Sequence, residues 1–537
     1  MRRVILSRVP QRSTFSFFVL ALTACQSGAV IGATCQRASD CSSPLVCRLG
    51  RCRNECNVNR DCALGTQCFL DSAGLGACQL EQDRSCGSGG GCGNGLDCLR
   101  GMCVRACTSA RECASDGMCS IASGAPLGFC VDPRPFDAGV VGDGGNVCRP
   151  MLATSICANG SYACAVTRDG GVLCWGGQDD AVPVLGRTIG SAMCGTTPCS
   201  AIPTRVPLHA GGMITSARSV VCGGTFACAR LADGSLRCWG AQNGGQLGTS
   251  DPIGTFGAVE PRLMNDSALP PTQVVSLGVD HGCALSPAND ITCWGIDLAG
   301  ELGRGAIGVP PRPAPAPQLM VHPPTGVLTL GATGRTTCVV LAGSPPTVSC
   351  VGANSMGELG ADPTMVTGST TPVTVARAVV DPAMPALYAS HRGMCTIDPT
   401  HHIACWGDDA GGALGRGVFI TNDWMAAGLA GAAAMRTFTT VFPGSVAHCA
   451  SSEADVYCWG DTSGGALNVD PSTLSTEVTA MLGRELHDLT AGACGEGFCC
   501  GIHGDQSVVC WGANTNGQLG RGAPGPDDFH PAAVCAP

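Results

Sequence analysis

The chain has 537 residues, of which only 13% are charged and 4% aromatic, alongside 77 Gly, 35 Pro and 39 Cys. Globular proteins carry about a quarter charged residues, so a composition rich in turn formers and cysteine argues against long amphipathic helices and for an all-β, covalently stapled molecule. The net charge is -10 and all 31 basic residues are arginine. Lysine-dependent P-loop, pyridoxal and Ser-x-x-Lys chemistries are thereby excluded, and nucleic acid or anionic lipid headgroups are disfavoured as partners.

Arg2, Arg3, Arg8 and Arg12 precede an apolar run from Phe15 to Ala24, the layout of a secretory signal over residues 1-24. The run is too short to span a bilayer, which takes about 20 apolar residues. Leu22-Thr23-Ala24-Cys25 resembles the bacterial lipobox, which implies cleavage before Cys25 and a diacylglycerol thioether on its sulfur. Gln26 is not the Asp that retains such proteins at the inner membrane. The resemblance therefore implies an outer-membrane or cell-surface lipoprotein, facing periplasm or exterior and touching the membrane through its N-terminal lipid, with residues 25-34 as a tether.

Setting Cys25 aside leaves 38 cysteines, no two of them in C-x-x-C spacing. Zinc ribbons, thioredoxin-like sites and haem attachment all need that spacing, so the expectation is structural disulfides with no metal or cofactor. Over residues 35-130 an eight-Cys interval pattern occurs twice, from Cys35 to Cys78 and from Cys86 to Cys130. These read as two duplicated disulfide-rich modules whose internal pairing the spacing leaves open. An acid before the second Cys of C-x5-C units (Asp40-Cys41, Asp61-Cys62, Glu112-Cys113) resembles the cysteine-rich modules of Dickkopf-type secreted proteins. That implies small extracellular interaction or spacer modules. Residues 131-147, rich in Pro, Gly and Asp, read as a linker.

From residue 148 to 537 a unit recurs every 52 to 64 residues, marked by a Cys and, usually nine residues later, Cys-Trp-Gly. The pairs are Cys164 and Cys174, Cys228 and Cys238, Cys283 and Cys293, Cys338 and Cys350, Cys395 and Cys405, Cys449 and Cys458, and Cys500 and Cys510. The fourth copy has Val351 in place of Trp. Two strands joined by a turn such as Asp233-Gly234 put each pair directly opposite, where cross-strand side chains lie about 5 Å apart, near disulfide reach. An Asn-x-x-Gly-Gln-Leu-Gly element follows, clearest at Asn514 to Gly520.

The combined C-A-L-x-x-x-G-x-x-x-C-W-G-x-N-x-x-G-Q-L-G-x-G pattern resembles the repeat of the regulator of chromosome condensation family of β-propellers. The resemblance implies a seven-bladed propeller of four-stranded blades, preceded by the small disulfide-rich modules. Exported bacterial members bind other proteins on the propeller face, whereas nuclear members act as guanine-nucleotide exchange factors; an exported chain meets no small GTPase, so none is expected here. In a closed ring the two ends meet, which implies a clasp between Cys148 and Cys535. Cys194 and Cys199 are expected to pin an insertion in blade one, and the pairing of Cys157, Cys222, Cys494 and Cys499 stays open.

Six tryptophans at one blade position are expected to pack between blades. Trp424, outside the pattern, is the best single candidate for a binding contact. Gly303-x-Gly305-x-x-Gly308 and Gly520-x-Gly522-x-x-Gly525 match a dinucleotide fingerprint in letters only, with no helix expected to follow. His401-His402 reads as a solvated hairpin tip. No catalytic cluster is found, and the chain reads as a non-enzymatic scaffold binding an unknown protein or glycan. A sialidase-type propeller glycosidase and a purely structural envelope protein are the alternatives; the first would need Ser-x-Asp-x-Gly-x-x-Trp boxes, which the sequence lacks.

Overall fold

The computed structural model describes residues 149–536, except 179–181, 189–192, 195–196, 250–255, 306–313, 322, 392, 418–422, 431–432, 453–454, 462–478, 482–485, 487 and 526. Before residue 149 it describes only backbone strands. The expected signal segment, Cys25 and the side chain of Cys148 lie outside the described residues.

The chain forms two compact units, Met1–Ala138 and Gly139–Pro537. In the first, the three-stranded sheet of Glu55–Cys56, Gly76–Leu80 and Thr66–Leu70 has the same strand order as that of Ala106–Cys107, Gly128–Val131 and Met118–Ser120. The boundary at residue 138 falls within the segment read as a linker. That segment carries a short antiparallel pair, Val140–Val141 with Val147–Cys148.

The second unit is all-β and has seven blades, each an antiparallel meander numbered here from its inner strand outward. Blade one runs Ala153–Asn159, Tyr162–Thr167, Val172–Gly177 and Thr197–Arg205, and blade seven runs Leu489–Cys494, Phe498–His503, Val508–Gly512 and Asp528–Ala533. Among the described residues blade two has no regular fourth strand. An isolated bridge between Cys238 and Val259 takes that place. Inner strands of neighbouring blades contact one another, which sets them around the propeller axis.

Local chemistry explains why the repeat keeps its letters. The Gly of Cys-Trp-Gly has φ between +101° and +120° in all seven blades. A Cβ there would stand 2.2 to 2.5 Å from a carbonyl oxygen of the first hairpin in six of them, for example Ser161 in blade one and Thr225 in blade two, so only glycine fits. The polar residue that opens the next element accepts from the amide of a buried leucine: Gln242 from Leu247 at 2.8 Å, Asn354 from Leu359 at 2.8 Å, Asp409 from Leu414 at 2.9 Å. The same bond forms at Gln178, Asp297 and Asn514. An invariant leucine is thus held in the core by a side chain whose acceptor matters and whose length does not.

Five blades are tied to the one before by their tryptophan. The indole N–H of Trp239 donates to the Val184 carbonyl, Trp294 to Gln246, Trp406 to Glu358 and Trp459 to Ala413. Trp175 of blade one donates to Gln518 of blade seven at 2.7 Å, which closes the ring. In blade four, where Val351 replaces Trp, the carbonyl of Glu301 is instead taken by the Thr337 hydroxyl at 2.8 Å. The donor is conserved in space although the residue is not. Further closure bonds join Met151 to Val534 and Ala153 to Gln506, with a bridge between Leu152 and Ser507. One apolar cluster then contains both Trp175 of blade one and Phe498 and Leu519 of blade seven.

Candidate functional site

Meander topology sends the turn between strands two and three, and the connection to the next blade, to the same end of the strands. Hydrogen bonds place them together: Ala217 to Gly170, Thr272 to Gly234 and Phe438 to His401 each tie the start of one blade to the hairpin tip of the previous one. This face carries exposed large apolar side chains in five successive inter-blade connections. They are Met213, Met264, Val321 beside Leu319, Met384 beside Val379, and Met435. Met264 is 74% and Met435 88% exposed. These side chains follow one another from connection to connection around the rim, and methionine is the residue that adapts to varied partner shapes.

Inside this rim the inner strands begin with a β-bulge in five blades, between Ala153 and Ser155, Ala217 and Ser219, Val327 and Thr329, Phe438 and Thr440, and Leu489 and Ala491. The residue in each bulge, Thr154, Arg218, Leu328, Thr439 or Thr490, is exposed. Bulges re-aim side chains, and here they set hydroxyls and one guanidinium around the axis. Three of the hydroxyls also donate to carbonyls of their own blade, Thr154 to Val166, Thr439 to Ser451 and Thr490 to Ile502. Phe256, Met356 and Met365, between strands three and four of their blades, are also exposed, and several connections of that kind lie outside the described residues.

Several titratable groups among the described residues are tied into the fold. His281 and His448 are fully buried and held down to about 4 by desolvation. His281 Nε2 lies 3.0 Å from the Thr337 hydroxyl, and His448 Nδ1 accepts from the Gly444 amide at 3.1 Å. Burial raises Asp297 and Glu301, which sit in the capping element of blade three. Asp169, at the blade-one hairpin tip, is lowered to about 2 by hydrogen bonds from Thr167 and Arg205.

The disulfides lie where the hairpins bring sulfur together. Bonds join Cys164 to Cys174, Cys228 to Cys238, Cys283 to Cys293, Cys338 to Cys350, Cys395 to Cys405, Cys449 to Cys458 and Cys500 to Cys510, with Cα atoms 4.0 to 4.2 Å apart. Cys194 is bonded to Cys199. Two pairings absent from the sequence reading are Cys494 with Cys499 inside blade seven and Cys157 with Cys222 across the boundary of blades one and two. Cys535 is disulfide-bonded, and its backbone bridges Pro150, two residues beyond Cys148.

Trp424 is half-buried on the outer strand of blade five. A Cβ on Gly357 of blade four would lie 2.8 Å from its Cα, the relation that Gly300 has to Thr370 and Gly517 to Ala201. Its backbone therefore occupies the general contact between an outer strand and the preceding blade. His401 has φ +64°, with Nδ1 3.3 Å from the Phe438 carbonyl, while His402 Nδ1 lies 2.8 Å from the Thr400 hydroxyl. The two rings are thus engaged by different neighbours. Gly303, Gly305, Gly520 and Gly522 are positive-φ turn residues.

The model of the Regulator of chromosome condensation (RCC1) repeat matches residues 217–246, from the inner strand of blade two to its capping element. Solved propellers of this kind superpose on the chain: human WBSCR16, with TM-score 0.55 at 16% identity over 68% of this chain and 94% of that one, and Prp20p from Saccharomyces cerevisiae, with TM-score 0.52 at 15% identity over 66% and 81%. The propeller is of the RCC1 type. Curated relatives include the human E3 ubiquitin-protein ligase HERC2, 24% identical over 287 residues, and the mitochondrial RCC1 domain-containing protein RUG3 of Arabidopsis thaliana, 26% identical over 155 residues. Those matches cover 51% and 29% of this chain but only 5% and 33% of the relatives.

Proposed function

We propose that this chain is a non-enzymatic binding scaffold, anchored through a lipid on Cys25 at the cell envelope, that engages a protein partner with the face bearing the inter-blade connections. The observation that carries the reading is the rim of exposed Met213, Met264, Leu319, Met384 and Met435 around the bulge residues of the inner strands. Methionine, arginine and aromatic residues are enriched in protein interfaces, and Arg218, Arg262 and Arg436 are exposed on the same face. A rigid scaffold presenting loops is the usual arrangement for recognition. Prp20p is a propeller whose structure was described with its binding to Gsp1p and histones, and yeast RCC1 has been solved bound to Kap60. Protein binding is the property carried over here; the named partners are not.

The test is affinity capture from envelope extracts with the soluble chain beginning after Cys25, alongside Met264→Glu/Met435→Glu. A discrete protein retained by the parent and weakened at least tenfold by the double variant, with unchanged melting temperature, is the expected result; a charge placed in an apolar contact costs on the order of 1.4 kcal/mol or more, which is a factor of ten. Equal retention by the two proteins would remove this face from consideration. Glycan turnover by the parent would favour the glycosidase reading instead.

A further inference from the structure

We propose that Cys449, Cys458, Cys494 and Cys499 constitute one thiol–disulfide exchange site, addressed by an external dithiol, that moves a staple from inside blades six and seven to the boundary between them. The Cys449–Cys458 bond of blade six and the Cys494–Cys499 bond of blade seven lie against each other. Cys449 Sγ is 3.7 Å from Cys499 Sγ and 3.9 Å from Cys494 Sγ. The four residues are fully buried, so a dithiol reaches them only through local opening of the blade boundary. Sulfurs in van der Waals contact across a blade boundary are placed for exchange once one of the two pairs is reduced to thiolate.

The molecule contains its own comparison. Cys222 in blade two and Cys494 in blade seven hold the same position, each directly after the inner-strand residue opposite the hairpin cysteine (Val221 opposite Cys228, Ala493 opposite Cys500). Cys222 bonds across its boundary to Cys157, which lies opposite Cys164. In blade six the residue opposite Cys449 is Phe442. Cys494 therefore lacks the inner-strand partner that Cys222 has, closes on Cys499, and brings that pair against Cys449.

The chemistry balances. The dithiol delivers two electrons and two protons to the Cys494–Cys499 bond and leaves as its own disulfide. Cys499, deprotonated, attacks Cys449 Sγ; the Cys449–Cys458 bond breaks, a Cys449–Cys499 bond forms, and Cys458 departs as thiolate and takes up a proton. The second step consumes and returns one thiol and one disulfide. Its product is a covalent link between blades six and seven, the counterpart of Cys157–Cys222.

The full-length oxidised chain carrying Cys458→Ser tests this without added reductant, because Cys449 is then a free thiol beside an intact disulfide. After acid quenching, alkylation and cleavage at Glu496, which separates Cys494 from Cys499, a fraction on the order of one half should carry Cys449 joined to the Cys499 or Cys494 fragment, since exchange between ordinary cysteine sulfurs has an equilibrium constant of order one. Complete alkylation of Cys449 with Cys494–Cys499 intact would overturn the proposal. If this variant does not fold, the unaltered chain titrated with a dithiol decides: the cross-blade fragment must appear at partial reduction, and loss of both native pairs without it overturns the proposal equally.

Discussion

At the residue scale, blade four shows which property of the repeat is under constraint. Thr337 stands in for an absent tryptophan as donor to the Glu301 carbonyl. Thr337→Val keeps the shape and removes the donor, leaving a buried carbonyl unpaired, so denaturant unfolding should show a loss of about 1–3 kcal/mol. The neighbouring ring adds a pH dependence. His281 and His448 are held at about 4 against an ordinary 6.5. Between those values the unfolded chain binds a proton at each ring that the folded chain refuses. Stability therefore falls as pH drops from about 6.5 to 4, by roughly 3 kcal/mol per ring. Denaturation midpoints at pH 7 and 4.5 would read it, and His281→Gln should make the dependence shallower.

At the scale of elements, the staples divide by the length of chain they close. A hairpin pair such as Cys228–Cys238 has a sequence separation of 10, whereas Cys157–Cys222 has 65. On the chain-entropy account the longer loop is worth about 4 kcal/mol and the hairpin about 3. Cys157→Ser/Cys222→Ser should therefore lower unfolding free energy more than Cys228→Ser/Cys238→Ser. A smaller loss from the long-range pair would show that residual structure in the unfolded chain, not loop closure, governs these bonds. The seven hairpins were legible because both cysteines and the turn lie within one short segment. The cross-blade bond was not, since nothing local distinguishes Cys157 from the other unassigned cysteines.

At the scale of the molecule, ring closure joins blade seven to blade one by the Trp175 indole, backbone bonds at Met151 and Ala153, and an arginine contact between Arg168 and Gln506. Cys535 is already in a disulfide beside Pro150. Peptide mapping of the non-reduced chain is expected to find it with Cys148, and Cys535→Ser should broaden thermal unfolding by freeing the ring ends. Recovery of Cys535 with any other cysteine would exclude the clasp. The binding face belongs to this scale too. The sequence places methionines in inter-blade connections that have no periodicity to read, and only the closed ring turns four of them toward one side.

The repeat alone determined the architecture: seven recurrences of one unit, six with Cys-Trp-Gly and one with Cys-Val-Gly, announced seven blades, because each letter answers a requirement met within one hairpin or its capping turn. Tertiary structure alone decided which carbonyl each tryptophan reaches, that Thr337 serves in place of one, that Cys157 meets Cys222, and that two disulfides touch at the blade six to seven boundary. Apart from the ring closure, where Trp175 reaches Gln518 343 residues away, those contacts join residues about 36 to 65 apart in neighbouring blades. Their partners are chosen by the rotation from blade to blade, a quantity set by packing around the whole ring and written in no single repeat.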